Sequence, residues 1–275
     1  MKKKMDLHIH STFSDGYLEP WEIVCLAKER SVEVIALTDH DSTDGLLPIA
    51  REARDAGIAL VDGVEINTFW EEEEVHILGY GIDANNRELQ RNLLYLREAR
   101  EQRMEKMLAK LSNLGIFISR ADVMAHVKGK ASIGRPHIAR AMAAAGYAGD
   151  EQQAFHKYLS PGCPAFVPRY KFHPSQAIST IRRAGGLAFL AHPGLLVDDE
   201  TIIEQLDLDG LEAYHSDHTP EQTKKYLKIA ATRDIWISGG SDCHGQPGNV
   251  LLGSVDVCSA HLFPWVQKHW TKPIS

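Results

Sequence analysis

At residues 32–40 the chain reads VEVIALTDH, a run of β-branched and aliphatic residues that ends in three polar side chains. Such a run is typical of a strand that is buried on both faces of a parallel sheet. Residues 44–56 then show helical spacing, and they are followed by Gly57, the residue that most often ends a helix. A buried strand followed directly by a helix predicts a βα unit.

The same alternation continues on both sides of this unit, and over the first eighty-odd residues it predicts parallel pairing of the strands. Further helices are predicted at residues 20–30, 87–114, 174–184, 199–206 and 220–233. Further strands are predicted at residues 5–10, 58–66, 75–82, 187–191, 210–214 and 235–239. The total is seven strands, with residues 250–258 as a candidate extra element. We therefore expect an α/β barrel.

One stretch interrupts the alternation. Between about residues 99 and 170 the pattern predicts helices and loops but no strand. We expect residues 1–98 and 171–275 to form the barrel domain. Residues 99–170, called the insertion below, are expected to form a helical cap over the substrate site.

The composition indicates an ordinary globular enzyme, because 275 residues with 44% hydrophobic content can bury one barrel-sized core. A net charge of −7 argues against an extended basic surface that coats nucleic acid. We expect a small-molecule partner and no membrane contact. Cys25, Cys163, Cys243 and Cys258 show no CxxC spacing, and no signal peptide is visible, so reduced thiols in the cytoplasm are expected.

Nine residues with metal-binding side chains fall in five short clusters, each at or beside a predicted strand. They are His8, His10, Asp15, His40, Glu65, His76, His192, Asp242 and His244. Functional groups of parallel barrels lie after the carboxyl ends of the strands, so we expect these side chains to converge. Imidazole and carboxylate ligands together suit Zn, Mn or Fe. Nine ligands exceed the needs of one ion, and a carboxylate such as Glu65 can bridge two cations, so two or three divalent ions are expected.

Taken alone, each cluster also has a purely structural interpretation. His8 and His10 lie two residues apart on a strand and point to one face, but such a pair also occurs on protein surfaces. Asp15 precedes Gly16 and could stabilise a turn, and Asp39 could cap the next helix. The joint pattern favours metal binding, because polar groups at the ends of buried strands are costly unless they are satisfied.

Five motifs, in their order and spacing, resemble those of the PHP (polymerase and histidinol phosphatase) superfamily of metal-dependent phosphoesterases. They are H-x-H-S-x-x-S-D-G from residue 8, T-D-H-D from residue 38, G-x-E from residue 63, A-H-P from residue 191 and G-G-S-D-x-H-G from residue 239. The resemblance covers residues 5–253. It implies a distorted (β/α)7 barrel that carries a trinuclear metal centre.

The resemblance also implies how the ligands are shared. His8, His10, Glu65 and Asp242 would hold one ion, Glu65, His76 and His192 a second, and Asp15, His40 and His244 a third. Asp39 would then support the centre by orienting a ligating imidazole.

Within the superfamily, the insertion resembles the branch that hydrolyses 3′,5′-nucleoside bisphosphates and the 5′ ends of short RNA. The resemblance rests on IGRPHIA at residues 133–139 and VPRYK at residues 167–171. Arg135 could grip a phosphate with two hydrogen bonds, and Lys171 could place a charge beside it. Arg169 is a third candidate. Alternatively, Arg135 only begins a helix and Lys171 lies in a solvated loop.

Two further histidines, His215 and His218, follow the sixth predicted strand and should face the barrel mouth. Either could bind phosphate or supply a proton, whereas a solvent-facing loop is the alternative for His218. The expected reaction is attack by a metal-bound hydroxide, because coordination lowers the pKa of water from about 15.7 to about 7. A metal-bound water, His215 or His218 would protonate the leaving oxygen.

The expected substrate is the 3′-phosphate of a 3′,5′-nucleoside bisphosphate. Three alternatives remain: a 5′→3′ exonuclease on short RNA or DNA, a histidinol-phosphate phosphatase, and a catalytically silent metal-binding scaffold. The insertion with Arg135 favours a nucleotide over histidinol phosphate. The presence of all nine ligands argues against a silent scaffold.

Overall fold

Seven strands follow one another around a barrel in chain order in the computed structural model, which describes residues 3–71, 73–127, 131–168, 171–246, 248, 250–257 and 259–271. The strands are β1 (Met5–Asp6), β2 (Val34–Leu37), β3 (Ala59–Trp70), β4 (Glu73–Tyr80), β5 (Leu187–Leu190), β6 (Gly210–His215) and β7 (Trp236–Gly240). A short strand β8 (Trp270–Thr271) pairs with β3 outside this order. The predicted seven-stranded α/β barrel is confirmed.

Backbone hydrogen bonds close the barrel by joining the segment after β1 to the end of β7 and to the residues that follow β7. Leu7 N donates to Gly239 O at 3.2 Å, and Asp242 N donates to His8 O at 2.9 Å. An isolated bridge between Ile9 and Cys243 continues the pairing beyond the strands. The motifs that begin at residues 8 and 239 therefore lie side by side.

The helices surround the barrel or belong to the insertion. They are α1 (Pro20–Glu29), α2 (Leu46–Ala56), α3 (Arg87–Asn113), α4 (Arg120–Met124), α5 (Arg135–Ala144), α6 (Glu151–Ala154), α7 (Pro174–Arg183), α8 (Asp199–Gln205), α9 (Pro220–Arg233) and α10 (Ser259–His269). Local sequence sets their ends: Gly57 follows α2 with φ of 73°, and Thr219 caps α9 in a reciprocal pair with Gln222. None of the described helices combines the length and the apolar character needed to span a membrane.

The direction of one strand, β4, differs from the prediction. β4 is antiparallel to β3, from Gly63 opposite Tyr80 to Trp70 opposite Glu73, and it is also antiparallel to β5. The predicted parallel pairing is wrong here, because only two residues separate β3 from β4 and a parallel connection needs a crossover of about a dozen or more. The start of β4 therefore lies at the edge where the parallel strands end.

The predicted extra element also differs, since residues 250–257 contain no strand and Cys258 lies outside the described residues. The helical character of the insertion agrees with the prediction, because its described parts, residues 99–127 and 131–168, contain no strand. The insertion has its own apolar cluster, which includes Met104, Leu111, Ile138 and Met142. The boundary between residues 98 and 99 lies inside α3, and the division into two domains stays a prediction.

Candidate active site

The nine side chains predicted to bind metal lie together at the carboxyl edge of the barrel, with the fully buried Glu65 at their centre. Five imidazoles surround its carboxylate. The distance from a Glu65 oxygen to the nearest ring nitrogen is 2.8 Å for His40 Nδ1, 2.9 Å for His76 Nδ1, 3.2 Å for His10 Nε2, 3.2 Å for His192 Nε2 and 3.5 Å for His8 Nε2. Glu65 lies within β3 and His76 within β4, and the antiparallel direction of β4 brings His76 to this edge.

Two further carboxylates complete the cluster. Asp242 Oδ1 lies 3.3 Å from His8 Nε2 and 3.1 Å from His10 Nε2. Asp15 lies 3.4 Å from His244 Nε2 and 3.9 Å from His40 Nε2. The members of each predicted ligand set are therefore neighbours, although the assignment of sets to ions stays a prediction. The structure also groups His10 with Asp15, His40 and His244, and His40 with Glu65 and His76.

Buried oxygens in the cluster test whether these residues fit metal ions. Glu65 Oε2, Asp15 Oδ1 and Asp242 Oδ1 are buried and accept no hydrogen bond from the described residues. An oxygen in that state costs about 1–3 kcal/mol, and more when it is charged. Divalent cations would remove this cost, and the mixed nitrogen and oxygen donors suit Mn, Fe or Zn. The side chains fit such ions.

Hydrogen bonds fix two of the imidazole rings in the form that metal binding requires. His8 Nδ1 lies 3.0 Å from Glu212 Oε1, and His244 Nδ1 lies 2.9 Å from the backbone oxygen of Asp242. Both partners only accept hydrogen bonds, so Nδ1 carries the proton in each ring. The Nε2 lone pair of each ring therefore faces the cluster.

Glu212, on β6, is a residue that the sequence prediction missed. It is fully buried and also accepts the His192 backbone N–H at 2.7 Å. Burial opposes its ionisation, yet the neighbouring His8 keeps the pKa of Glu212 below its ordinary value. A charged residue in the apolar run GLEAY at residues 210–214 was the available signal, because an acid buried in a strand needs a partner.

The pKa values of the histidines in the cluster shift in opposite directions. Burial alone would lower the pKa of His10, but the carboxylates of Asp242 and Glu65 beside its ring raise it to about 10. For His40 burial dominates and lowers the pKa to about 4. Some imidazoles thus hold protons in the metal-free protein, and metal binding would release them.

The backbone at the cluster adopts unusual conformations. His192 has φ of 28°, Asp41 has φ of 49° and Asp242 has φ of 56°. Residues other than glycine pay about 1–3 kcal/mol for such conformations, which concentrate at functional sites. His192 and Asp242 are themselves predicted ligands, and Asp41 directly follows the predicted ligand His40, so these strained conformations lie at the candidate site.

Asp39, which is predicted to orient an imidazole, does not contact an imidazole of the described residues directly, because the side chain of Ser14 lies between it and His10. It accepts hydrogen bonds from Ser11 N at 2.8 Å, Ser11 Oγ at 2.7 Å and Ser14 Oγ at 2.6 Å. Ser14 Oγ in turn lies 3.5 Å from His10 Nδ1. Asp39 therefore holds the turn at residues 11–14 and reaches His10 only through Ser14.

His215 faces the cluster with a defined ring proton. Its Nδ1 accepts the Asp217 backbone N–H at 3.1 Å, so the neutral ring carries its proton on Nε2. That Nε2 lies 3.7 Å from Asp242 Oδ2 and has no hydrogen-bond partner among the described residues. His215 can therefore present a proton to a group bound at the cluster.

His218 is engaged on both ring nitrogens. Its Nδ1 donates to Ala213 O at 3.1 Å, and its Nε2 accepts the Gly194 N–H at 3.0 Å. Burial lowers its pKa, which favours this neutral form. The ring of His218 therefore joins the turn after His192 to β6 and does not lie in a solvent-facing loop, and its role in proton transfer stays a prediction.

Of the predicted substrate-binding residues, Arg135 lies in the insertion beside the end of the barrel that carries the cluster. Arg135 is the first residue of α5, and its Nη2 lies 3.1 Å from Glu74 Oε2. Glu74 is two residues from His76 on the same face of β4. Lys171 is exposed, and its Nζ lies 5.9 Å from the Phe69 ring centre. Arg169 lies outside the described residues.

A cavity of about 540 Å³ opens beside the cluster, between Asp15, Asp242 and His244 on one side and the insertion on the other. Arg140 of α5 lines it; its Nη2 donates to Asp15 O at 2.6 Å, and its guanidinium lies 3.8 Å from the Tyr17 ring centre. The sequence prediction missed Arg140, because helical spacing does not show which helix face borders a cavity.

Comparison with known proteins places this geometry in a family. The PHP domain family matches residues 6–161. The chain belongs to the PHP domain family. This PHP protein is 37% identical to the 3′,5′-nucleoside bisphosphate phosphatase of Chromobacterium violaceum over 251 residues, which cover 89% of this chain and 88% of that protein. It is 34% identical to a 5′-3′ exoribonuclease of Haemophilus influenzae, with 96% of this chain and 99% of that protein covered.

The fold of the PHP protein also matches a solved structure along its whole length. An amidohydrolase from Chromobacterium violaceum, with bound sulfate and no metal, aligns with a TM-score of 0.91 and 33% identity over 99% of both chains. Family membership and the His/Asp/Glu cluster together make this protein a metal-dependent phosphoesterase, a hydrolase of phosphoric ester bonds.

Proposed function

We propose that this PHP phosphoesterase removes the 3′-phosphate of 3′,5′-nucleoside bisphosphates. The observation that carries the proposal is the cavity that joins the metal-binding cluster to Arg140, with Arg135 at the start of the same helix. A substrate with two phosphates on one ribose can place one phosphate at the cluster and the other against these arginines. The similarity to a 3′,5′-nucleoside bisphosphate phosphatase supports this choice.

The roles of the chain's own residues follow from their positions. The nine clustered side chains would hold two or three Mn, Fe or Zn ions. When bound, such ions lower the pKa of a water nucleophile and stabilise negative charge on the phosphoryl oxygens. His215 would give its Nε2 proton to the leaving oxygen, while Asp39 and His218 would hold neighbouring segments in place. Arg135 and Arg140, together with Lys171 and Arg169, would bind the non-reacting phosphate.

A second candidate function is 5′→3′ exonuclease activity on short RNA. It is favoured by the 34% identity to a 5′-3′ exoribonuclease over nearly the full length of both chains. A terminal phosphodiester could occupy the same cluster, with the next phosphate at the arginines.

The setting of the reaction is also proposed. Reduced thiols are usual in the cytoplasm, and Cys25, Cys163 and Cys243 are free, which supports a cytoplasmic location. The partner would be a nucleotide or a short oligonucleotide, and residues 99–170 would act as the cap of the site.

The test of the proposed function is a substrate screen of Mn-loaded protein. Adenosine 3′,5′-bisphosphate should give the highest kcat/KM, ahead of adenosine monophosphates, histidinol phosphate and 5′-phosphorylated oligonucleotides. A higher kcat/KM for the oligonucleotides would establish the exonuclease instead, and a higher value for histidinol phosphate would refute both proposals.

The phosphate-binding roles predict a loss that depends on the substrate. Arg135→Ala, Arg140→Ala and Lys171→Ala each remove a charge-assisted contact of about 1.5–3 kcal/mol, so kcat/KM for the bisphosphate should fall roughly tenfold to over a hundredfold. An aryl phosphate lacks the second phosphate, and its kcat/KM should change little. Arg120→Ala is the matched control, since Arg120 pairs with Glu101 and Glu105 on the exposed surface of the insertion. Equal losses on both substrates would contradict a role in binding the second phosphate.

A further inference from the structure

A chain of polar contacts connects the metal-binding cluster to the insertion through the long helix α3. Asn67 Nδ2 lies 3.0 Å from His40 Nδ1 and donates to Asp41 Oδ2 at 3.1 Å. Arg100 Nε of α3 donates to the same Asp41 oxygen at 2.6 Å. Arg100 Nη1 donates to the backbone oxygen of Ile133 at 3.1 Å. The contacts therefore run from a predicted metal ligand to the segment that precedes α5.

The central ion pair is buried. The side chains of Arg100 and Asp41 are only 6% and 1% exposed. The desolvation of two buried charges offsets much of their attraction, so such a pair is a weak source of stability. It does hold its partners in one geometry, because the planar guanidinium offers several donors in fixed directions.

Each end of the chain of contacts meets a part of the proposed site. At the barrel end, Asp41 N donates to Glu65 O at 2.9 Å, and Asp41 Oδ1 accepts the Asn67 backbone N–H at 2.9 Å. At the insertion end, Ile133 precedes Gly134 and Arg135, where α5 begins. The guanidinium of Arg100 therefore contacts Asp41, which is bonded to the Asn67 amide beside His40. It also contacts the segment that precedes α5, the helix that carries Arg135 and Arg140.

We propose that Arg100 is a positioning residue that sets the ring of His40 and the start of α5 together. It would thereby align the phosphate-binding side of the cavity with the metal-binding cluster. The effect on substrate binding rests on the proposed function, whereas the effect on metal binding needs no substrate.

The variant Arg100→Lys tests the proposal, because an ammonium keeps the charge but does not reproduce the fork of Nε and Nη1 donors. Chelator competition should show the dissociation constant of the weakest-bound Mn²⁺ raised about tenfold or more, as for other residues that support metal ligands. At saturating Mn²⁺, KM for adenosine 3′,5′-bisphosphate should also rise about tenfold, because the start of α5 is no longer fixed.

Arg97→Lys is the matched control, since Arg97 lies on the same helix and pairs with Asp44 at 2.8 Å. It should leave the Mn²⁺ dissociation constants and KM at wild-type values. The proposal is overturned if Arg100→Lys lowers only the melting temperature, or if Arg97→Lys has the same effects.

A second variant, Asn67→Ala, tests the contact at His40 separately from the contact between Arg100 and the start of α5. It removes the contact with His40 and the side-chain hydrogen bond to Asp41, and it keeps both members of the ion pair between Asp41 and Arg100. The Mn²⁺ dissociation constant should rise, while KM at saturating Mn²⁺ should stay at the wild-type value. An unchanged Mn²⁺ dissociation constant would refute the link to His40. If the enzyme acts on another substrate class, KM for adenosine 3′,5′-bisphosphate no longer tests the proposal. The Mn²⁺ dissociation constants of the variants then still show whether Arg100 positions His40.

Discussion

Glu212 shows at the scale of one residue how a carboxylate can orient two histidines that are predicted to bind metal. It accepts a hydrogen bond from His8 Nδ1 at 3.0 Å, which leaves the Nε2 lone pair of that ring for a cation. It also accepts the backbone N–H of His192 at 2.7 Å. His192 has φ of 28°, so this bond stabilises a strained turn as well as placing the side chain.

The variant Glu212→Gln should weaken metal binding with little change in side-chain size. Both hydrogen bonds require an acceptor, and the glutamine amide nitrogen must face one of the two N–H groups, so one bond is lost. We expect Mn²⁺ affinity and kcat/KM at limiting Mn²⁺ to fall about 10- to 100-fold. Equilibrium dialysis and steady-state kinetics measure both quantities.

Glu88→Gln serves as its control, because Glu88 pairs with Arg183 on the outside of the barrel. Wild-type Mn²⁺ affinity in Glu212→Gln would mean that the carboxylate only fills the core.

At the scale of an element, the sequence predicts where α5 begins but not which face of this helix borders the cavity. Pro136 near the first turn is typical of a helix beginning, and the helix does begin at Arg135. His137 then accepts the Gly134 N–H on Nδ1 at 3.0 Å. Its ring is buried, and burial lowers its pKa to about 4. The helix start therefore depends on a neutral His137.

This dependence predicts how pH changes stability. The pKa of His137 is 6.5 when unfolded and about 4 when folded, so its stabilisation is complete above pH 6.5 and is lost as pH falls toward 4. The loss amounts to about 3 kcal/mol of unfolding free energy at the acid end. Urea unfolding with chelator present should show a flatter pH dependence for His137→Gln than for the wild type. His156→Gln, at an exposed position of the insertion, should follow the wild type; identical pH profiles for all three proteins would contradict the assignment.

At the scale of the whole molecule, barrel closure gathers ligands from both ends of the chain. His8 and His10 follow β1, whereas Asp242 and His244 follow β7, and the backbone bonds between these segments hold them in register. The result is a buried group of imidazoles and carboxylates that metal ions can stabilise together.

We therefore expect purified protein to contain between two and three equivalents of Mn, Fe or Zn by elemental analysis. Chelation should abolish phosphoesterase activity, and Mn²⁺ should restore it. Metal should also raise the melting temperature, because ions that bind only the folded state stabilise it by about 2.7 kcal/mol at a hundred times their Kd. His244→Ala should lower both metal content and activity, whereas His126→Ala should lower neither. Active enzyme with one equivalent or none would disprove a multinuclear centre.

The sequence by itself determined the type and order of the elements and the identity of the clustered side chains. The bounds of α9 agree with the prediction at residues 220–233, because capping residues and apolar spacing are local properties. The polar groups after successive strands predicted a shared site, since parallel strands end at the same edge.

Only the tertiary structure decided the direction of β4, the partner of His8 and the side chain that lines the cavity. Glu212 and Arg140 each depend on contacts with residues far away in the chain, and His218 is held by contacts that no spacing predicts. Periodicity shows which face of an element is buried, but it does not show which neighbour covers that face. The pairing of one buried polar group with another is therefore a property of the assembled barrel.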